Sequence, residues 1–217
     1  MAMRSWASGL AMRFRMTATA DPPMASDKAS PDAVVMVPYL YLLGQLPERP
    51  LVSHAEIAAL TGSTAISCVR FICFITRSGP VIHTAFWKIV SGRNMVDNFS
   101  HGDFGNCLGA IDVGTGKVTR AIARMGPGGS IDAHPNTGKP LTGFVLPDWQ
   151  AACDLVKRAS AFFPGLYLQN WDVAMTPHGP TLVELNTESE LAVPQAISGR
   201  GLMDQRLRAI LEDLPAD

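Results

Sequence analysis

The sequence predicts an α+β fold, an antiparallel sheet with flanking helices. Two apolar runs that double back on glycine- and proline-bearing turns predict hairpins, and one amphipathic stretch predicts a helix beside them. The 217 residues suffice for one large domain or two small ones with a sizeable core. A content of 47% hydrophobic and 17% charged residues suits a globular chain.

The elements follow in chain order. Residues 1–33 lack periodicity and are rich in Ala, Ser, Pro and Met, so they read as a leader, with 34–217 as the folded subdomain. Arg13 and Arg15 interrupt the apolar core that a secretory signal needs. No stretch approaches the roughly 20 apolar residues of a membrane-spanning helix. Val34 to Leu43 reads as a buried strand, and His54 to Leu60 as a short helix capped by Ser53 and stopped by Gly62. "AISCVRFICFITRSGPVIHTAFWKIV" holds two β-branched and aromatic strands around Arg77-Ser78-Gly79-Pro80. A glycine-rich loop, "DNFSHGDFGNCLG", leads to a small hairpin turning at Gly114-Thr115-Gly116, then to the turn-dense "HPNTGKPLTGFVLP". Trp149 to Phe163 is the strongest helix: Asp148 caps it, Ala152, Leu155, Val156, Ala159 and Phe163 share a face, and Pro164-Gly165 ends it. The hairpin "WDVAMTPHGPTLVELN" and a helix from about Leu202 to Leu214 complete the chain.

Charge and cysteine usage limit the function classes. A net charge of −1 excludes a strong overall attraction to nucleic acid or to a membrane surface. Cys68, Cys73, Cys107 and Cys153 show neither a CxxC pair nor zinc spacing, and read as reduced thiols in a cytoplasmic protein.

The last hairpin raises an electrostatic question. With Pro177-His178-Gly179 as a three-residue loop, Thr176 pairs with Pro180, Ala174 with Leu182, Asp172 with Glu184, and Asn170 with Asn186. Trp171, Val173, Met175, Val183 and Leu185 then form the core face. Carboxylates placed opposite one another destabilise a sheet. A divalent cation held by Asp172 and Glu184, with Asn186 as a neutral oxygen ligand, relieves the repulsion; a polar, solvated hairpin face is the plainer alternative.

The first hairpin carries cations. Arg70 sits mid-strand, and it opposes Lys88 if the loop is Ser78-Gly79-Pro80, or Trp87 if the loop is Ser78-Gly79. Paired cations attract phosphate or carboxylate, although a mid-strand Arg also commonly reaches solvent or a local carboxylate. Asn98, His101, Gly102, Gly105 and Asn106 line a loop able to aim N–H groups at an anion, but it lacks the P-loop and dinucleotide spacings. His134 fits three roles: an acid/base, a substrate contact, or a loop histidine bonded to backbone.

Taken in order, "CVRFICF", "GPVIHTAFWKIVSG", "VDNFSHGD", "AIDVGTGKV", "HPNTGKPLTGFVLPDW" and "NWDVAMTPHGPTLVELN" resemble the sugar-transfer-associated ATP-grasp proteins, often labelled α-L-glutamate-ligase-related. The resemblance runs from about Gln45 to Asn186, and "HP-x-TG" and "WD-x-A…GP…E-x-N" are its most specific parts. It implies the C-terminal, metal-binding subdomain of an ATP-dependent carboxylate–amine ligase working through an acyl phosphate. Its implied partners are ATP and a small carboxylate and amine. Asp172, Glu184 and Asn186 match the ligands of Mg²⁺ (or Mn²⁺), whose preference for oxygen suits them. Arg70 matches a catalytic arginine near the transferred phosphate, Lys88 a second basic residue, and Asn98 a phosphate or substrate contact. His134 is the candidate substrate contact. The chain departs from the pattern at "HGD", where Gly-Gly is usual, and at "NWD", where "GWD" is usual. The segment before Gln45 holds Lys28 as its only lysine and is too short for the first lobe of such a site, so a shortened form, or a non-catalytic binding domain, is expected.

Overall fold

The computed structural model describes residues 51–215. The predicted leader 1–33 and the Val34–Leu43 strand lie outside the described residues. Within them the chain runs α1 (Ala55–Thr61), β1 (Val69–Thr76), β2 (Gly79–Ile89), a short 3₁₀ turn (Ser100–Gly102), β3 (Cys107–Ile111) and β4 (Val118–Ile122). It continues through β5 (Ser130–Ile131), α2 (Trp149–Ser160), β6 (Leu168–Thr176), β7 (Gly179–Asn186), α3 (Ala192–Ser198) and α4 (Gln205–Glu212). The strands form one antiparallel sheet in the order β5-β4-β3-β2-β1-β6-β7, so the fold is α+β as expected. No helix among the described residues is long and apolar enough to cross a membrane.

Both faces of the sheet are covered, which explains why β1 is apolar almost throughout. Phe71 and Cys73 point to one core with Ile57 of α1, Trp149 and Val156 of α2, and Trp87 and Trp171. Ile72 and Phe74 point to the other, where Phe86 and Leu108 meet Val193 and Ile197 of α3 and Leu207 and Ile210 of α4. Buried indoles need a partner for their N–H. Trp171 finds the Ser160 hydroxyl and the Gln169 side-chain oxygen, each at 2.9 Å, and Trp87 finds the Ser67 carbonyl at 3.1 Å.

Both long hairpins share a Thr-x-x-Gly-Pro turn. The threonine hydroxyl donates to the glycine carbonyl (2.8 Å for Thr76, 2.7 Å for Thr176) and accepts from the N–H two residues on. Gly79 and Gly179 take φ of 113° and 99°, which a side chain disfavours. Each glycine still pairs with its threonine, so the loops are Arg77-Ser78 and Pro177-His178: two residues where three were expected in the last hairpin, and neither Ser78-Gly79-Pro80 nor Ser78-Gly79 in the first. Each hairpin then recovers one residue at a bulge. In β6–β7 the near pairs are Ala174 with Thr181 and Val173 with Leu182; the register shifts between Asp172 and Val173, and Asp172 meets Glu184 as expected. The shift makes Leu182 a core residue where Val183 was expected. In β1–β2 the shift sets Arg70 against Phe86, so neither expected partner opposes it; Lys88 lies two residues along the same face.

Local expectations also needed correction. His54, not Ser53, caps α1, its Nδ1 accepting from the Glu56 N–H at 3.3 Å. Asp148 precedes α2 in a left-handed conformation and makes no side-chain cap. The C-terminal helix is shorter than expected, and α3 precedes it unannounced by the sequence pattern.

Candidate functional site

Strand order assembles the site. Because β6 pairs with β1, Arg70 lies directly across from Asp172, which lies across from Glu184. One row further on, Ile72, Asn170 and Asn186 line up in the same way. Arg70 Nε donates to Asp172 Oδ1 at 2.7 Å, and Nη2 to Oδ2 at 2.6 Å, a bidentate pair. Lys88 Nζ donates to Asp172 Oδ2 at 2.9 Å and pairs with Asp97 Oδ1 at 3.1 Å. The Asn186 amide, turned so that its NH₂ meets an acceptor, donates to Glu184 Oε1 and accepts from Arg70 Nη2, both at 3.1 Å.

Burial would raise the Asp172 carboxyl, whose side chain is 2% exposed, but Lys88 and Arg70 hold it below the usual carboxylate range. Burial likewise opposes the charge of Lys88, and Asp172 and Asp97 together outweigh it and hold the ammonium above its usual range. The repulsion expected between Asp172 and Glu184 is therefore answered from within the chain by Arg70 and Lys88.

Beside this cluster lies a cleft of about 320 Å³. Arg70 and Lys88 form its cationic end, Ile72, Phe86 and Leu108 its apolar floor, and Asn98 and Asn170 part of its polar wall. Asn98 is exposed, and its carbonyl accepts from Asn106 Nδ2 at 2.8 Å. Across the mouth, His101 Nε2 and Glu190 Oε1 approach to 3.3 Å.

A family described as sugar-transfer associated ATP-grasp matches residues 40–211. The chain belongs to this family. Searches of curated proteins and of solved structures found no match. At the level of the family, ATP-grasp membership supports ATP and nucleotide binding.

Two loops that carry the resemblance act as braces. Asn106 is wholly buried, accepts from the Ser91 N–H at 2.9 Å and Asn94 Nδ2 at 2.8 Å, and donates to the Val96 and Asn98 carbonyls at 2.9 and 2.8 Å. All four of its hydrogen-bonding positions are used. His134 is 1% exposed: Nε2 bonds the Val90 carbonyl at 2.9 Å, and Nδ1 accepts from the Asn136 N–H at 3.3 Å. Both nitrogens are thus occupied by backbone, and His134 lines no cleft described above. Asn136 Oδ1 accepts from the Gly92 N–H at 2.8 Å, while Thr137 Oγ1 bonds the Leu60 carbonyl at 2.6 Å at the end of α1.

Sequence reasoning missed Asp97, which anchors Lys88 and takes the Cys68 N–H at 2.7 Å, and it missed Glu190. The acid preceding Asn98 was a signal for the first; nothing in the pattern marked the second.

Proposed function

We propose that this protein is an ATP- and Mg²⁺-dependent carboxylate–amine ligase, joining a small acid to an amine through an acyl phosphate. One observation carries the reading: in an ATP-grasp chain Arg70 and Lys88 line the cationic end of an amphipathic cleft, and the bonded set of Asp172, Glu184 and Asn186 gathers about them. In this chemistry a carboxylate oxygen attacks the γ-phosphorus of ATP and ADP leaves. The amine nitrogen then attacks the acyl carbon, inorganic phosphate leaves, and the nitrogen sheds its proton.

The donor set fits a hard cation. Three carboxylates, Asp97, Asp172 and Glu184, surround two cations, leaving one negative charge in excess. Among the described residues no group of three or more His, Cys, Asp or Glu side chains gathers as a metal site; the candidate set is two carboxylates and an amide. Glu184 and Asn186 would hold Mg²⁺ (or Mn²⁺), with the remaining lone pair of Asp172 Oδ1 as the third oxygen. When bound, the metal supplies charge compensation on the phosphate oxygens.

The other residues act on their own account. Arg70 keeps Nη1 clear of the Asp172 pair, and Lys88 keeps a third proton, so both have donors for a phosphoryl or carboxylate oxygen. Asn98 offers a neutral contact, and the Ile72, Phe86 and Leu108 floor excludes water. His134 enters as a brace for Val90 and Asn136 and not as a substrate contact.

A second reading, a non-catalytic anion-binding domain, is favoured by the internal neutralisation of Arg70 and Lys88. Measuring ADP release against a panel of acids and amines separates the two. ADP formed only with ATP, Mg²⁺ and an accepted acid together, and lost in Arg70→Ala, supports the ligase. No ADP with any pair, and a melting temperature unmoved by Mg-ATP, overturns it.

A further inference from the structure

A second cleft of about 380 Å³ lies on the same sheet face, walled by β2, β3 and β4 on one side and by α3 and the 199–206 segment on the other. It contains none of the residues assigned above. Three arginines line it: Arg120 from β4, Arg200 after α3, and Arg206 from the first turn of α4. Two acids share the lining, Asp112 and Asp204. Both are engaged locally. Asp112 Oδ1 accepts from the Thr115 N–H at 2.9 Å and hydroxyl at 2.6 Å, and Asp204 Oδ1 caps α4 by accepting from the Leu207 N–H at 2.8 Å.

Arg120 and Arg206 are positioned but not consumed. Arg120 Nη2 donates to the Ser130 hydroxyl at 2.9 Å, and its Nη1 lies 3.5 Å from the Ile197 carbonyl. Gly199, at φ 69°, lies directly against that guanidinium; a β-carbon there would collide with Arg120 Nη1. Arg206 Nη2 donates to the Ile82 carbonyl at 2.7 Å. Arg200 lies near enough to Asp204 for its charge to help lower that carboxyl, after the Leu207 N–H and His83, and its guanidinium donates no hydrogen bond among the described residues. Each guanidinium has five donors, so most of them remain unspent. His83, on the bulge of β2, completes the wall with Nδ1 at 2.7 Å from the Thr84 hydroxyl. Ala110, Pro194, Ile197 and Leu202 give the cleft an apolar side.

We infer that the Arg120–Arg200–Arg206 cleft is a binding site for a small dianion, a phosphoryl or dicarboxylate group with a short carbon body. Planar guanidinium forks match the paired oxygens of both groups, and three forks with most of their donors unspent serve the oxygens of a dianion more fully than those of a monoanion. The site has a route to the candidate active cleft. Ile197 lines the former and Val193 the latter, four residues apart and so on one face of α3. An occupant drawn against Arg120 and Arg200 braces that helix.

Calorimetric titration with inorganic phosphate and with succinate, using acetate as a monoanionic control, tests this on the full chain. Phosphate or succinate should bind more tightly than acetate. Affinity at this cleft should fall at least tenfold in Arg200→Ala, whose exposed side chain leaves the core untouched, and binding there should persist in Arg70→Ala, which removes only the separate anion contact of the first cleft. Three results overturn the inference: no binding of either dianion, binding unaltered in Arg200→Ala and Arg120→Ala, or binding lost in Arg70→Ala and retained in Arg200→Ala. The last assigns the anion to the first cleft and leaves the ligase reading intact.

Discussion

Asp172→Asn isolates the contribution of the central carboxylate. The wild-type side chain is 2% exposed and receives three charge-assisted hydrogen bonds, two from Arg70 and one from Lys88. Breaking a buried ion pair by removing one partner costs about 3–5 kcal/mol. The lower figure applies here, because Lys88 keeps Asp97 at 3.1 Å and Arg70, 24% exposed, keeps Asn186 at 3.1 Å. A loss of about 3 kcal/mol lowers the melting temperature by about 6–12 °C for a domain of this size. Urea unfolding should show a lower midpoint at unchanged slope. The difference should also depend on pH. Because the folded Asp172 carboxyl sits below its unfolded value near 4, its contribution is complete above about pH 4 and fades as pH falls through the folded value. The gap between wild type and variant should therefore close in acid. A variant within about 0.5 kcal/mol of wild type at pH 7, typical of an exposed substitution, would refute the hub.

Two further predictions concern the frame of the site. Asn106→Ala strips a buried side chain of four hydrogen bonds and leaves the Val96 and Asn98 carbonyls short of a donor; it should cost about 2–3 kcal/mol and raise hydrogen exchange through 91–98, and unchanged exchange there would contradict the bracing role. Burial pushes the Cys107 and Cys153 thiols up to about 11, and all four cysteines are free and buried, so a thiol reagent at pH 8 should react slowly with native protein and with four equivalents in denaturant; rapid native labelling would contradict the packing.

Local pairing was legible in the sequence, and long-range pairing was not. The Asp172–Glu184 and Asn170–Asn186 pairs follow from one hairpin, although the loop was read one residue too long and the bulge offset the error. Nothing in either hairpin states that β1 lies against β6, so the Arg70–Asp172 pair was invisible, and with it the internal answer to the carboxylate repulsion. The same limit left His134 open among three roles, because its partner Val90 is met only when a loop folds back beside β2. Helix ends were misread where backbone conformation decided them: Asp148 at φ 52° cannot place its side chain as a cap. Family resemblance reached further than periodicity because its motifs mark positions that meet only in the folded sheet.

The central claim is that Glu184 and Asn186, beside the Arg70–Asp172–Lys88 hub, hold a metal–nucleotide complex. Calorimetric titration of ATP with and without Mg²⁺, on wild type and on Glu184→Gln, tests it most directly. The account predicts Mg²⁺-dependent binding in wild type, at least tenfold weaker binding in the variant, and an unchanged circular dichroism spectrum. Equal binding by the folded variant, or binding by wild type that ignores Mg²⁺, would contradict it.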